Sequence, residues 1–325
     1  MARLAAALLA FLFAVPAAAQ FAPIPGIDPA PKTAAAPAGK SYLWEVSSLT
    51  NRIYLYGTVH AGKASFYPLP PAVDKAFAES KVLVVEADIT GAAAMARSSG
   101  TLMLTPPDSL EKRLPKGAWE RLRAQAKRLG LPEGQVNQMK PFMAATLLAF
   151  SEWGRLGYTP IHGVDLNLIR RAKERAIPVL ELEGAAAQAA LVDSLTDDEA
   201  LAALDGTLAA LESGLTAEQV TGMVNAWQAG DPALLLEVAR KYNDNVPGAA
   251  RIEEKFIWSR HEAMVQRIAG FLGDTRQRHF VAVGALHMAG PRGLVEMLKF
   301  RARKLSRCRL FPLGALTRSL AGEVL

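Results

Sequence analysis

Two histidines and two glutamates in this sequence share a position at which chemistry can be done. His60 follows the apolar run IYLY at residues 53–56 by way of Gly57, and His287 follows FVAV at residues 280–283 by way of Gly284. Glu86 closes the run at residues 82–85, and Glu183 lies just past the run at residues 177–182. Short apolar runs of this kind read as buried strands. In an open parallel sheet, ligands collect at the carboxyl ends of the strands. Two imidazoles and one or two carboxylates gathered there form a donor set for a divalent ion with a position left open for water, which is the arrangement of metal-assisted hydrolysis. Taken singly, each histidine reads as a hydrogen-bonded structural residue and each glutamate as a cap or ion-pair partner, and GxxH alone is a weak signal. The repetition of the whole context favours the metal reading.

That context is strand, GxxH, turn, helix, strand, met twice. In the first copy IYLY leads through GTVH and a Pro-rich turn to a helix at residues 71–80 and the strand at residues 82–85. In the second, FVAV leads through GALH and a turn at Gly290 and Pro291 to a helix at residues 292–300 and a strand near residues 305–310. A glycine three residues before each histidine lets backbone turn sharply off the strand and approach a bound group closely. Between the copies, residues 108–277 are largely helical by apolar spacing and glycine stops, interrupted by the run IPVLEL after a helix at residues 164–175. Strands alternating with helices imply an α/β fold, with a mostly parallel central sheet, two strand-GxxH-helix-strand halves and a large helical insertion in the middle.

The chain begins with a positive charge at Arg3, an apolar run from Leu4 to Val15, and small residues at Ala17 and Ala19. Residues 1–19 therefore read as a cleavable secretory signal peptide, too short to span a bilayer, with no cysteine after it for a lipid anchor. Residues 20–40 read as a Pro/Ala-rich leader, residues 41–312 as a single domain, and residues 313–325 as a C-terminal tail. The expected location is periplasmic or secreted, with no transmembrane segment after cleavage. The formal charge of +6 falls to +5 when Arg3 is removed with the signal peptide, and much of it sits in KFRARKLSRCR at residues 299–309. Export excludes nucleic acid as a partner and leaves this basic stretch a solvated face with weak contact to an anionic surface. The single cysteine, Cys308, can form no internal disulfide and lies in no nucleophile motif. His162 and His279 read as capping or surface residues, and Trp153, Trp227 and Trp258 as packing.

LWEVSS at residues 43–48, YLYGTVH at 54–60, YPLPPAVDKAFAESKVLVVEAD at 67–88, HGVDLNLIRRAKERAIPVLELEGAAAQ at 162–188 and VAVGALHMAGPRGLVEML at 281–298 together resemble the TraB/GumN family, over nearly the whole domain. Proteins related to that family, the Tiki proteins, resemble metal-dependent peptidases with two GxxH motifs and a glutamate, and TraB-type proteins are linked to inactivating peptide pheromones. The resemblance implies His60, His287 and Glu86 as metal ligands, with Glu86 as ligand or general base. It makes Asp165, Glu183 and Gln188 second-rank candidates for an outer shell or substrate contact, beside Gly57 and Gly284. Arg260 resembles the family's arginine on a late helix, where an Arg-Asn pair is common, and would hold a substrate carboxylate or an oxyanion. Here His261 stands in place of the asparagine.

The expected function is a metal-dependent hydrolase, a peptidase acting on exported or extracellular peptides or a small-molecule substrate, with Mn, Co or Zn as the divalent ion. The alternative is an exported metal- or peptide-binding protein without turnover.

Overall fold

The computed structural model describes residues 41–48, 50–88, 90, 102–241, 248–304 and 309–313. Residues 1–19, read as a signal peptide, residues 20–40, read as a leader, Cys308 and residues 314–325 lie outside the described residues.

Six strands form one sheet: β1 (Leu43–Ser47), β2 (Arg52–Thr58), β3 (Val82–Val85), β4 (Val179–Glu181), β5 (His279–Gly284) and β6 (Arg309–Leu313), in the order β4-β3-β5-β2-β1-β6. The β4-β3, β3-β5 and β5-β2 pairings are parallel, and β2-β1 and β1-β6 are antiparallel. The fold is thus α/β with a mostly parallel sheet. β3 and β5 lie in its centre, and every residue of VLVV and HFVAVG is buried, as near-continuous apolar runs covered on both faces must be.

The two strand-GxxH copies take up β2 and β5, which are neighbours with Gly57 opposite Val283 and Thr58 opposite Gly284. The antiparallel strand β1 was not expected. Its five residues are too short a pattern to declare themselves, and their register, Leu43 opposite Tyr56, is set by the hairpin to β2. The strand expected near residues 305–310 is found at Arg309–Leu313, with residues 305–308 outside the described residues.

Thirteen α-helices are described. α1 (Pro71–Glu79) joins β2 to β3. The insertion holds α2 (Leu110–Arg113), α3 (Lys116–Arg128), α4 (Glu133–Asn137), α5 (Pro141–Arg155) and α6 (Val164–Glu174) before β4. After β4 come α7 (Ala185–Asp193), α8 (Asp197–Ser213), α9 (Leu215–Gln228), α10 (Pro232–Lys241), α11 (Ala249–Phe256) and α12 (His261–Phe271); α13 (Leu294–Lys304) follows β5. Their limits follow local chemistry. Pro71 and Pro141 start α1 and α5 with a fixed φ and no N–H to leave unpaired. Thr196 and Glu199 form a reciprocal capping box on α8, which stops at Gly214 in the left-handed region. Sheet and insertion share one apolar core, and no described helix is long and apolar enough to cross a membrane.

Candidate functional site

The site lies past the carboxyl ends of β2, β3, β4 and β5, where His60, Glu86, Glu183 and His287 were expected. His60 is two residues beyond β2, Glu86 directly follows β3, and His287 lies in the 3-10 turn Ala285–Met288 after β5. The ends of β3 and β4 are tied together by backbone, since Glu183 and Gly184 both donate to the Glu86 carbonyl at 3.0 Å. His60, Glu86 and His287 are all buried, and the charge of Glu86 acts on both imidazoles.

Each imidazole is held from its Nδ1 side. His60 Nδ1 lies 2.7 Å from Asp165 Oδ2. Asp165 is in the first turn of α6, and its other oxygen accepts from the Thr58 hydroxyl. Burial pushes the His60 imidazolium pKa down, but the charge and hydrogen bond of Asp165 outweigh it and hold the value above that of an ordinary histidine. A carboxylate on Nδ1 leaves Nε2 as the nitrogen offered to a ligand.

His287 is held by a relay. The Arg292 carbonyl can only accept, so His261 Nδ1, 2.6 Å away, carries the hydrogen. Burial first, and then the neighbouring His287, push the His261 pKa down to about 3, so this imidazole is neutral and its Nε2 is an acceptor. His287 Nδ1, 2.8 Å from that Nε2, must then donate, which turns His287 Nε2 towards Glu86 Oε2 at 3.6 Å. Trp258 packs edge-on against His261 and donates to Glu253 at 2.7 Å.

Glu86 is held at both oxygens. Its Oε1 accepts from the Gly284 N–H at 2.7 Å, and Oε2 accepts from Arg260 at 2.6 Å and from Gln188 at 3.4 Å. Burial pushes its pKa up, yet the positive charge of Arg260 beside it holds it well below the usual carboxylate range. Arg260, itself buried, has its guanidinium committed on every side. Nε donates to Glu183 at 2.9 Å, Nη2 to Glu86 and Glu183, and Nη1 to the Phe256 carbonyl at 2.6 Å and to His287 Nε2 at 3.2 Å. Burial disfavours its charge, but the two carboxylates reverse that and hold its pKa above the ordinary arginine value.

The glycines serve close approach. A Cβ at Gly57 would stand 2.3 Å from the Tyr42 ring and 3.1 Å from the Ala285 backbone, so this glycine lets β1, β2 and the GALH turn meet. The Gly57 carbonyl accepts from Trp227 Nε1 at 2.8 Å. Gly284 supplies the amide that holds Glu86.

The structure thus brings together His60, His287, Glu86, Arg260, Glu183, Gln188, Asp165, Gly57 and Gly284. His261, Thr58 and Gly163 belong to the same assembly and were given no site role by the sequence. For His261 the available signal was its adjacency to Arg260; Thr58 and Gly163 stand inside the GTVH and HGVD segments. His162 stays at the rim, half-buried, with its carbonyl accepting from Tyr67. His279 is buried at the start of β5 and stacked on Phe271, so the surface role expected for it does not hold.

Two imidazoles and an ionised carboxylate are donor types that a divalent ion takes. Among the described residues, no group of three or more His, Cys, Asp or Glu side chains is arranged to hold a metal ion. The guanidinium of Arg260 stands instead as the cation bound by Glu86, Glu183 and His287.

Fold and site define an α/β protein whose strand-end histidines come from a repeated GxxH unit. The chain belongs to the TraB/PrgY/gumN family, whose model matches residues 42–307. It is similar to a protein named "Uncharacterized protein YbaP" from Escherichia coli (strain K12), with 28% identity over 272 residues, covering 80% of this chain and 94% of YbaP. The protein of that name from Shigella flexneri matches to the same extent. No solved structure matches the chain.

Proposed function

We propose that the protein is an exported hydrolase of amide bonds in peptides, with a divalent ion (Mn, Co or Zn) that His60 and His287 would hold and Glu86 as the general base. The observation that carries this reading is a pair of imidazoles, one held through Nδ1 by the half-buried Asp165 and one by the buried His261, both under the charge of a carboxylate held well below its usual pKa. Such second contacts orient metal ligands and raise their basicity. When bound, the ion would polarise the scissile carbonyl and lower the pKa of a water toward about 7.

The chain's own residues supply the rest. Glu86, ionised at neutral pH, takes the proton of the attacking water and returns it to the leaving nitrogen as the C–N bond breaks. Gly284 fixes the orientation of that carboxylate. Asp165 and His261 keep the two imidazoles in the tautomer that presents Nε2. Arg260 keeps Glu86 charged while it is buried.

A second reading, an exported metal- or peptide-binding protein without turnover, is favoured by one observation: both oxygens of Glu86 already accept hydrogen bonds. A peptide-library cleavage screen with the wild-type chain and Glu86→Gln, each loaded with Mn²⁺, Co²⁺ or Zn²⁺, separates the two. The hydrolase reading expects cleavage that Glu86→Gln abolishes; metal binding without cleavage of any peptide favours the binding protein.

A further inference from the structure

We propose that a cavity at the amino edge of the sheet, opposite the edge that carries His60 and His287, is a binding site for a phosphate-bearing anion. The inference is independent of the hydrolase reading and uses no residue of that site.

The cavity measures about 500 Å³, within the range of small-molecule sites, about 300–1,000 Å³. Its walls are the facing ends of β1 and β2, the chain just before β3 and the loop leading into β5. These segments stand side by side because β3, β5 and β2 are parallel neighbours and β1 returns beside β2. Each of the three parallel strands brings a cation to the wall: Arg52 opens β2, Lys81 precedes β3, and Arg276 and Arg278 precede β5. Among the described residues of the lining, Glu79 is the one carboxylate.

The acceptors of this wall are already taken. Glu79 accepts from the Tyr54 hydroxyl at 2.8 Å and from Arg278 at 2.7 Å. The carbonyls at and past the end of α12 would repel an anion, and Asn51 covers them: its Nδ2 donates to the Phe271 carbonyl at 3.1 Å and to that of Asp274 at 2.6 Å. The Asn51 carbonyl accepts from the Ser48 hydroxyl at 3.1 Å, and the Arg278 carbonyl from the Lys81 N–H at 2.8 Å. These bonds also pin the start of β2 to the loop before β5, so the walls are fixed in place. The donors are less committed. Lys81 is exposed and has no ion-pair partner among the described residues. Arg52 lies 3.6 Å from Glu45, and Arg276, with its side chain 87% exposed, 3.6 Å from Asp274, too far for hydrogen bonds. A pocket with its acceptors occupied and three cations still able to donate fits an oxyanion, which takes charge-assisted bonds from such groups and pairs with the planar fork of arginine.

A phosphate of this kind has two sources, a soluble phosphate ester and the headgroup of an anionic phospholipid, and each has its own arm in the test. Titration calorimetry with glycerol 1-phosphate, and co-sedimentation with phosphatidylglycerol vesicles against phosphatidylcholine vesicles, compare the purified mature chain with Lys81→Gln/Arg276→Gln. Both side chains are exposed, and melting curves check that the variant folds. The control Lys116→Gln/Lys127→Gln removes the same charge from exposed positions of α3. The expected result is binding that weakens at least about tenfold in Lys81→Gln/Arg276→Gln and stays near wild type in the control. One ester bound per chain marks a soluble ligand; retention by phosphatidylglycerol vesicles without binding of the ester marks a headgroup. Binding of neither probe, or equal weakening by the two double variants, overturns the site.

Discussion

Asp165 Oδ2 and His60 Nδ1 meet at 2.7 Å although 105 residues separate them in the chain, and the helix that carries Asp165 reaches the histidine because residue 163 has no side chain. A Cβ at Gly163 would lie 2.4 Å from the His60 carbonyl oxygen, while Val164 N donates to the Val59 carbonyl at 2.8 Å. Gly163→Ala must push α6 away from the GTVH turn. Urea unfolding should show a loss of about 1–3 kcal/mol, and the His60 imidazole should lose its Asp165 partner in ¹⁵N spectra. An unchanged His60 signal would show that α6 is not positioned by this contact.

His261 holds the tautomer of His287, so His261→Phe should lower metal affinity by about 10- to 100-fold, the range seen when an outer partner of a ligating histidine is lost. Titration with Co²⁺ measures it. Affinity equal to wild type would mean that His287 needs no partner at Nδ1.

Much of this architecture was legible in the sequence. The runs at residues 82–85 and 280–283 declared themselves because central parallel strands must be apolar on both faces. The strand-end residues followed from them by position alone. β1 was not legible, since a five-residue antiparallel strand owes its register to the hairpin. Neither was the role of His261, because contact between residues 261 and 287 is made by packing of α12 against the GALH turn, and no local period records it. Gly163 stands in the HGVD segment, but the reason for it, the His60 carbonyl, lies across the fold.

Trp227 donates to the Gly57 carbonyl in a buried setting. Trp227→Phe keeps the aromatic bulk and leaves that acceptor unpaired, which should cost about 1–3 kcal/mol in urea unfolding. A cost near zero would place a water at the carbonyl.

Glu199 gives a pH dependence away from the site. Burial pushes its pKa up, but hydrogen bonds from Lys255 and the Thr196 amide, with the Lys255 charge, hold it below 4.5. A carboxyl with a lowered folded pKa stabilises above its unfolded pKa and loses that contribution as pH falls through the folded value. Wild type should therefore exceed Glu199→Gln by about 1 kcal/mol at pH 7, with the gap closing below pH 4.5. A gap that is constant down to pH 3 would contradict the assignment.

The most direct test of the central claim is the metal content of the purified mature chain after incubation with Mn²⁺, Co²⁺ or Zn²⁺ and dialysis, for wild type, His60→Ala and His287→Ala. One ion per wild-type chain, lost in both variants while their melting curves stay cooperative, is the predicted result. No ion in wild type under any loading, or full retention in either variant, would contradict a site shared by the two GxxH histidines.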